Sequence, residues 1–410
     1  MRKRVSLGGT ADSSPIYLRG VRVHGTLHDT FFLTTSYGKT IALDASSGRI
    51  LWTFTPPGYA SWAGTYRITN SSPVADPGRR YVYAASSDGK IHKLSVATGR
   101  EAAGWPVTIS LLPEREKIGP ALNFSRGLVL EGTGGYVGDQ PPYQGHVVAI
   151  DARTGKLVNV WNSLCSDRRR LIEPSTCPAS DSAIWARSGV VVEPGSGRLL
   201  VATGNAPWDG KTNWGDSVLE LTPNAGRLLH SWTPTNYHEL DTSDGDLGST
   251  APALLTSRLM IQGGKDAKLR LLDLGQIGIG KTGGESQTLN TPGGLFSTPA
   301  VWRNGGRTWI FLSTFSGTGA LQLVGGKLRG VWSNSSSGTS PVVAGGLLYV
   351  YDPDGGLNVY RPQTGALVSR LDAGRGHWSS PIVTDGRIAL PEGNANDHTE
   401  SGVLDIWRLR

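Results

Sequence analysis

Three aspartates stand close together in one stretch of the chain, Asp241, Asp244 and Asp246, and a lysine follows in the sequence Gly264-Lys265-Asp266. A carboxylate can accept a proton from a reacting group, and a nearby ammonium can polarise a carbonyl. Asp-rich links also cap turns without any catalytic role, and Lys265 equally suits a plain hairpin turn. The residues alone therefore leave two interpretations open, an acidic functional site and a structural turn.

Aromatic side chains accompany these charged residues in the irregular parts of the sequence. Five of the 13 tryptophans lie in segments where core packing does not obviously require them, namely Trp62, Trp185, Trp208, Trp214 and Trp378. Two carboxylates with aromatic platforms would suit a sugar, so a carboxylate-based glycosidase or lyase is one candidate. The sequence contains no G-x-S-x-G and no H-E-x-x-H, which removes support from serine hydrolases and zinc proteases of the standard kinds.

The elements that must position these residues are visible as an internal repeat. A turn of the kind Asp151-Ala-Arg-Thr-Gly155-Lys156 recurs with its glycine at 48, 99, 155, 226 and 365, and the glycine is expected to take the positive φ that closes a hairpin. Six residues beyond these glycines, or beyond Gly326, stand large apolar residues: Phe54, Trp105, Trp161, Trp232, Trp332 and Leu371. We expect the four tryptophans among them to pack between neighbouring blades.

A second element, Ser-Pro or Ser-Thr-Pro, precedes a short apolar stretch and then an alternating β-branched and aromatic run such as Leu347 to Tyr351. Together the two elements define eight units of four strands, at a spacing typical of propeller blades, and no segment has a helical period. The last unit lacks a fourth strand after Val403 to Arg408, and Arg4 to Leu7 is a spare strand. The sequence therefore predicts an all-β fold, a single domain over residues 1–410: an eight-bladed β-propeller of four-stranded antiparallel blades, closed by pairing of the N- and C-terminal strands.

The connections between the predicted strands are very unequal in length. The glycine turns on one face are short, whereas the opposite face carries the long segments, including Asn162 to Ile184, Gly204 to Ser217 and Thr233 to Gly248. Long irregular loops on a rigid scaffold are where binding residues usually lie. We therefore expect one ligand-binding mouth on this face, with the five tryptophans near it.

Charge and cysteine content limit the environment and the partners. The net charge is +7, with 40 Lys and Arg against 33 Asp and Glu, and the cations are scattered, so nucleic acid is not expected as a partner. No stretch is long and apolar enough for a membrane helix. Cys165 and Cys177 share one loop, and a disulfide there would indicate an oxidising compartment. We expect a secreted or periplasmic monomer without its signal peptide; a cytosolic protein with reduced thiols is the alternative.

The turn-and-tryptophan repeat, as in Ala149 to Lys156, resembles the repeat of the pyrroloquinoline quinone (PQQ) propeller superfamily, which includes quinoprotein alcohol dehydrogenases and the outer-membrane assembly propeller. Ala202 to Trp208 resembles the segment whose asparagine binds calcium beside PQQ, which implies Asn205 as a ligand, joined by Asp246. The resemblance further implies Asp244 or Asp246 as catalytic base, Lys265 as contact to the quinone carbonyls, and Trp185 as the stacking platform. Trp378, on the same face, is a second candidate for cofactor binding.

The chain also departs from that superfamily. Tyr136 stands near the place of a glutamate that binds calcium in the quinoproteins, and their adjacent cysteine pair and a C-x-x-C-H haem motif are absent. The leading hypothesis is oxidation of an alcohol or sugar at the mouth with PQQ and Ca²⁺. The alternatives are a non-catalytic scaffold that binds protein, peptide or glycan through the same face, and the glycosidase or lyase.

Overall fold

Short β-branched and aromatic runs between turn residues form the strands of a computed structural model that describes residues 2–408. The strands form eight four-stranded antiparallel sheets, which confirms the predicted eight-bladed β-propeller. Met1, Leu409 and Arg410 belong to the predicted domain of 1–410 but lie outside the described residues. The assignment of that whole range to a single domain stays a prediction.

The strands follow the chain blade by blade. Before and within the first four blades they are β1 (Arg2–Leu7), β2 (Ile16–Val23), β3 (Thr26–Thr34), β4 (Thr40–Asp44), β5 (Ile50–Phe54), β6 (Val74–Ala75), β7 (Tyr81–Ser86), β8 (Lys90–Ser95), β9 (Val107–Thr108), β10 (Glu116–Lys117), β11 (Asn123–Ser125), β12 (Leu128–Gly132), β13 (Gly134–Gly135), β14 (His146–Asp151), β15 (Leu157–Asn162), β16 (Val191–Val192), β17 (Leu199–Ala202), β18 (Val218–Leu221) and β19 (Leu228–Trp232). Strands β10 and β13 form a separate two-stranded ladder beside the third blade.

The other four blades repeat the same order. Their strands are β20 (Ala253–Leu254), β21 (Leu259–Gln262), β22 (Lys268–Asp273), β23 (Gln287–Asn290), β24 (Ala300–Asn304), β25 (Arg307–Thr314), β26 (Gly317–Val324), β27 (Lys327–Asn334), β28 (Val342–Ala344), β29 (Leu347–Tyr351), β30 (Leu357–Tyr360), β31 (Leu367–Leu371), β32 (Ile382–Thr384), β33 (Arg387–Glu392) and β34 (Gly402–Arg408). The sequence shows no helical period, and one short α-helix of six residues, α1 (Tyr237–Thr242), forms within the long loop before β20.

The ring closes as predicted. Strand β1 pairs antiparallel with β34 from Arg2 opposite Trp407 to Leu7 opposite Gly402, and the last sheet has the order β1-β34-β33-β32. The Arg2 guanidinium donates to both carboxylate oxygens of Asp405, at 2.9 and 2.7 Å, and that carboxylate is fully buried. The chain's first strand therefore completes its last blade and covers an edge that would otherwise be unpaired.

The repeated glycine and the repeated tryptophan meet across the blade interfaces. A Cβ on Gly99 would lie 2.7 Å from the Trp52 ring of the preceding blade, and one on Gly365 would lie 2.6 Å from Trp332. Both glycines also have φ of +69°, so their turns need glycine for two reasons. In the first unit two aromatic residues share the interface: Phe54 packs against His92 of the second blade, and Trp52 covers Gly99.

The glycine prediction also fails at one turn. In Thr222 to Arg227 the left-handed residue is Ala225, with φ of 53°, rather than Gly226. The predicted disulfide is present between Cys165 and Cys177, in the loop before the fourth blade. Within residues 2–408, no helix has the length and apolar character needed to cross a membrane.

Candidate functional site

The long loops converge on a cavity of about 290 Å³ at the mouth of the ring. Most of the residues that line it come from the links into six of the eight blades, and the others come from loops within the third, fifth and eighth blades. Five of the six site residues predicted from the sequence meet there: Trp185, Asp244, Asp246, Lys265 and Trp378. Residues far apart in the chain thus form one site because each propeller link returns to the same central channel.

Asp246 is the most deeply placed acid of this cavity, with only 4% of its surface exposed. Its Oδ2 accepts a hydrogen bond from Trp185 Nε1 at 2.9 Å, while its Oδ1 is buried without a hydrogen-bond partner. Burial raises the pKa of Asp246 to about 6, although Lys265 and Trp185 oppose that rise. The result is a carboxylate poised to exchange a proton near neutral pH.

Lys265 connects two aspartates at the rim of the cavity. Its Nζ lies 2.5 Å from Asp244 Oδ1 and 3.2 Å from Asp246 Oδ2, and 5.7 Å from the centre of the Trp185 ring. Burial lowers the pKa of Lys265, but the two carboxylates outweigh it and raise the pKa overall. Asp244 is 61% exposed at its side chain, so it belongs to the rim, and Asp246 belongs to the interior.

The aspartate loop has a strained backbone. Asp244 has φ of 54° and Asp246 has φ of 20° with ψ of 91°, both in a region that non-glycine residues rarely adopt. Such conformations persist where surrounding contacts enforce them, and they are frequent at functional sites. Here the enforcing contact is Asp216, whose Oδ1 accepts the Leu247 N–H at 2.9 Å directly after Asp246. The interpretation as a plain turn does not account for this buried, strained carboxylate.

Three aromatic rings form one wall of the cavity. Trp378 stacks on Phe296 at 5.7 Å with 23° between the rings, and it meets Trp185 edge to face at 6.4 Å. These flat apolar surfaces beside Asp246 and Lys265 suit a planar ligand. Phe296 has no place among the residues predicted from the sequence, although it lies in this wall.

Asn205 does not join the group. It follows Gly204, where a Cβ would lie 2.3 Å from Asp246 Oδ1, so the segment does approach the catalytic candidate closely. However, Asn205 is not among the residues that line the cavity, and its backbone carbonyl accepts the Ser182 N–H at 2.9 Å. The resemblance identified a segment that does reach the site, but Gly204 is the residue of that segment that packs closely against Asp246.

The donor set around Asp246 is poor for a hard cation. Calcium takes six to eight oxygen ligands, whereas no group of three or more His, Cys, Asp or Glu in residues 2–408 is arranged to hold a metal ion. Tyr136 lines the cavity near the predicted place, but its hydroxyl donates to the Pro113 carbonyl at 2.8 Å. The acidic and histidine side chains of the described residues therefore do not assemble a metal site around Asp246.

Cations dominate the deeper part of the cavity. Arg187 donates to three backbone carbonyls, those of Asp12, Asn70 and Gly119, and its Nε is buried without a partner. Lys117 also lines the cavity, and burial lowers its pKa to about 8. The acid nearby, Asp12, is already bonded to His377, Asn70 and the Trp378 N–H. This end of the cavity therefore favours a ligand with negative charge.

Sequence reasoning missed Asn70, Lys117, Arg187, Phe296 and His377, all of which line the cavity. A signal for some of them was present. The residue directly before each Ser-Ser-Pro or Ser-Thr-Pro is Asp12, Asn70, Phe296 or Trp378, and each of the four lines the cavity or bonds a residue that does. Since that element starts the first strand of a blade, the residue before it lies at the channel mouth.

Of the five tryptophans predicted for the long-loop segments, Trp185 and Trp378 line the cavity and the other three do not. Trp62 and Trp214 are buried, with their Nε1 atoms bonded to Tyr37 O and Ser166 Oγ, at 3.1 and 3.0 Å. Trp208 packs on Tyr237 of α1 at 4.8 Å, away from the cavity. These three rings hold long loops on the propeller, which is a packing role that loop length alone does not indicate.

Comparison with known proteins agrees with this architecture. A family model described as outer membrane protein assembly factor BamB, of the PQQ repeat type, matches residues 10–214, which is half of the chain. The chain belongs to the PQQ-like β-propeller family. It is a quinoprotein-like propeller, because the curated proteins similar to it are quinoprotein alcohol dehydrogenases.

Two of these relatives show the extent of the similarity. The dehydrogenase subunit of the quinone alcohol dehydrogenase of Acetobacter aceti is 27% identical over 51% of this chain and 32% of its own length. That of Komagataeibacter europaeus is 22% identical over 94% of this chain and 60% of its own length. The matched part of this chain thus spans about one third of the length of the first relative and three fifths of the second.

Solved structures show the same fold at low identity. The quinohemoprotein alcohol dehydrogenase of Comamonas testosteroni superposes with a TM-score of 0.70, at 16% identity, over 100% of this chain and 77% of the other. A europium-containing methanol dehydrogenase gives 0.72 at 14% identity over 99% and 92%. BamB of Moraxella catarrhalis gives 0.60 at 16% identity over the full length of both chains. The PQQ-like propeller is therefore shared by enzymes and an assembly factor.

Proposed function

We propose that the chain oxidises an alcohol or a sugar in the central cavity, with a quinone of the PQQ type as cofactor. The observation that carries the proposal is the buried Asp246 carboxylate, which has one free oxygen and lies beside Lys265 and an aromatic wall. The family relation adds weight, because its curated members are quinone-dependent alcohol dehydrogenases. When bound, such a quinone supplies the acceptor for the two electrons that leave the substrate.

The residues present fit a planar anionic group. Trp185, Phe296 and Trp378 provide flat apolar surfaces, and Lys117 and Arg187 provide positive charge for carboxylates at the inner end. Trp185 is held in place through its Nε1 bond to Asp246, so the stacking platform and the acid are positioned together. Lys265 is the cation at the rim that can contact carbonyl oxygens.

Asp246 acts as the base in this proposal. Its carboxylate, which lines the cavity beside Trp185 and Lys265, takes the hydroxyl proton of the substrate. The Lys265 ammonium keeps the carboxylate ionised above a pH of about 6 despite its burial. The aromatic wall excludes water from the reacting atoms and thereby strengthens these charge interactions.

Binding of the cofactor is the first test. Adding PQQ to the protein should quench tryptophan fluorescence and stabilise the fold, by about 2.7 kcal/mol at a hundredfold excess over the dissociation constant. Trp185→Leu should weaken binding at least tenfold, whereas the control Trp208→Leu should leave it unchanged, because Trp208 lies outside the cavity. Dye-linked assays with primary alcohols and aldoses then define the substrate.

The absence of any quench or stabilisation at millimolar PQQ would reject the quinone. The non-catalytic scaffold would then be the better account of the same mouth, and capture of a protein or glycan from the native secretome is its test. Hydrolysis of glycans without an electron acceptor would instead support the glycosidase or lyase. If Trp185→Leu and Trp208→Leu weaken PQQ binding equally, the cofactor does not bind against Trp185.

We leave calcium out of the proposed chemistry, because no group of three or more His, Cys, Asp or Glu side chains in the described part of the chain is arranged to hold a metal ion. Treatment with EDTA, followed by CaCl₂, should move the melting temperature by less than about 2 °C and leave the affinity for PQQ within about twofold. Controls are performed in metal-free buffer without chelator. If Ca²⁺ raises the melting temperature or the affinity for PQQ, and EDTA reverses the rise, the result would support Asn205 and Asp246 as calcium ligands, as the sequence predicted.

The proposed setting is extracytoplasmic, and the disulfide between Cys165 and Cys177 supports it. A monomeric state and the lack of a nucleic acid partner stay predictions. The proposed partner of the cavity is a small molecule.

A further inference from the structure

A second cavity of about 430 Å³ opens directly beside the central one. The two share Tyr136, Val137 and Asn396, so they form one continuous groove from the channel mouth across the long-loop face. None of the residues proposed for oxidation lines the second cavity. Its position is that of a subsite for the part of a ligand that does not react.

Aromatic rings line this second cavity in a fixed arrangement. Tyr66 is 48% exposed and meets the Tyr136 ring edge to face, with centroids 5.4 Å apart and 87° between the rings. The hydroxyls of both are directed to backbone carbonyls, Tyr66 to that of Glu114 at 3.3 Å and Tyr136 to that of Pro113 at 2.8 Å. Anchored hydroxyls leave the rings as rigid, partly exposed surfaces for stacking.

Most of the other side chains of the second cavity are planar and polar. Glu114, Arg115, Gln140, Asn396 and His398 provide a carboxylate, a guanidinium, two amides and an imidazole, and Arg115 bonds to Gln140; Ile68 and Val137 are the apolar members. One carboxylate and one guanidinium, with the amides and a histidine, give this cavity little net charge. The inner end of the central cavity, with Lys117 and Arg187, is by contrast cationic. A neutral ligand rich in hydroxyl groups therefore matches the second cavity better than an anion does.

We propose that this groove binds a neutral saccharide chain, with Tyr66 as the stacking platform and the amides and ions beside it bonding the hydroxyls. The apolar faces of sugar rings pack on aromatic rings, and vicinal hydroxyls suit planar amide and carboxylate partners. The inference deepens the proposed function, because the terminal sugar of the bound chain would enter the central cavity. Its oxidation there rests on the proposed function, whereas binding in the groove does not. The substrate class is then an oligosaccharide rather than a small alcohol.

Binding of neutral oligosaccharides tests the proposal without any cofactor. We would titrate the protein by calorimetry with cellohexaose, maltohexaose, xylohexaose and chitohexaose, and with the matching monosaccharides. At least one hexasaccharide should bind, at least tenfold more tightly than its monosaccharide. Tyr66→Ala should weaken that hexasaccharide at least tenfold, whereas Tyr66→Phe, which keeps the ring, should remain within threefold.

Two outcomes overturn the proposal. One is no binding of any of the four hexasaccharides by the native protein; the other is equal affinity in Tyr66→Ala, with circular dichroism unchanged from the native protein. Failure of the quinone proposal is seen separately, because PQQ is absent from these titrations. Hexasaccharide binding without PQQ binding would leave the groove a glycan site and reject only the oxidation.

Discussion

Asp246→Asn is expected to lower the rate of substrate oxidation by about 10²- to 10⁴-fold while the protein stays folded. Asparagine has nearly the shape of aspartate, and its carbonyl oxygen can still accept the Trp185 Nε1 bond seen at 2.9 Å. What asparagine cannot do is act as a base and take the substrate proton. The measurement is dye-linked turnover of the variant loaded with PQQ, beside circular dichroism.

The matched control is Asp244→Asn, in the same loop. Asp244 is largely exposed and reaches only the rim lysine, so its loss should reduce the rate less than about tenfold. If the two variants lose the same activity, the roles assigned to rim and interior are wrong. A fall in melting temperature of more than about 5 °C for Asp246→Asn would instead support a structural role for its turn.

The pH dependence follows from the same carboxylate. Because burial raises the pKa of Asp246 to about 6, the base form is lost as the pH falls through that value. The native kcat/KM should therefore rise with pH up to about 6 and level off above it, and the residual activity of Asp246→Asn should lack that limb.

Removal of residues 2–7 is expected to lower the free energy of unfolding by about 5 kcal/mol. This deletion uncovers the edge of β34, exposes the buried partners of Leu7, and leaves the Asp405 carboxylate buried without its guanidinium. Denaturant unfolding, followed by tryptophan fluorescence, measures the loss. Size-exclusion chromatography should also detect self-association through the uncovered edge.

Lys3→Ala is the control within the same strand. Its ammonium reaches only the Ser46 carbonyl on the surface, so the expected change is within about 0.5 kcal/mol. An unchanged unfolding midpoint after the deletion would mean that the pairing of β1 with β34 does not hold the ring closed. If Lys3→Ala lowers the free energy of unfolding as much as the deletion does, the stabilising contacts of β1 lie on its exposed side.

Parts of the site could be predicted because the family motif places them locally. Asp246 and Lys265 stand in recognisable short segments, and both line the cavity. Asn205 was inferred in the same way, yet the backbone directs it elsewhere, since its segment uses Gly204 to approach Asp246. A motif identifies a segment, but which of its atoms faces the ligand depends on the packing of the loop.

The repeat in the sequence determined the propeller, its eight blades and the closure of the ring, because turn glycines, β-branched runs and interface tryptophans are local signals that recur at a regular spacing. It also determined which face carries the long loops. Only the tertiary structure decided that Trp185 and Trp378 meet Asp246 while Trp62, Trp208 and Trp214 pack the loops, and that Arg187 and Lys117 lie below them. Contacts among links from six different blades have no signature in the local sequence, because they arise only when the ring brings those links to one channel.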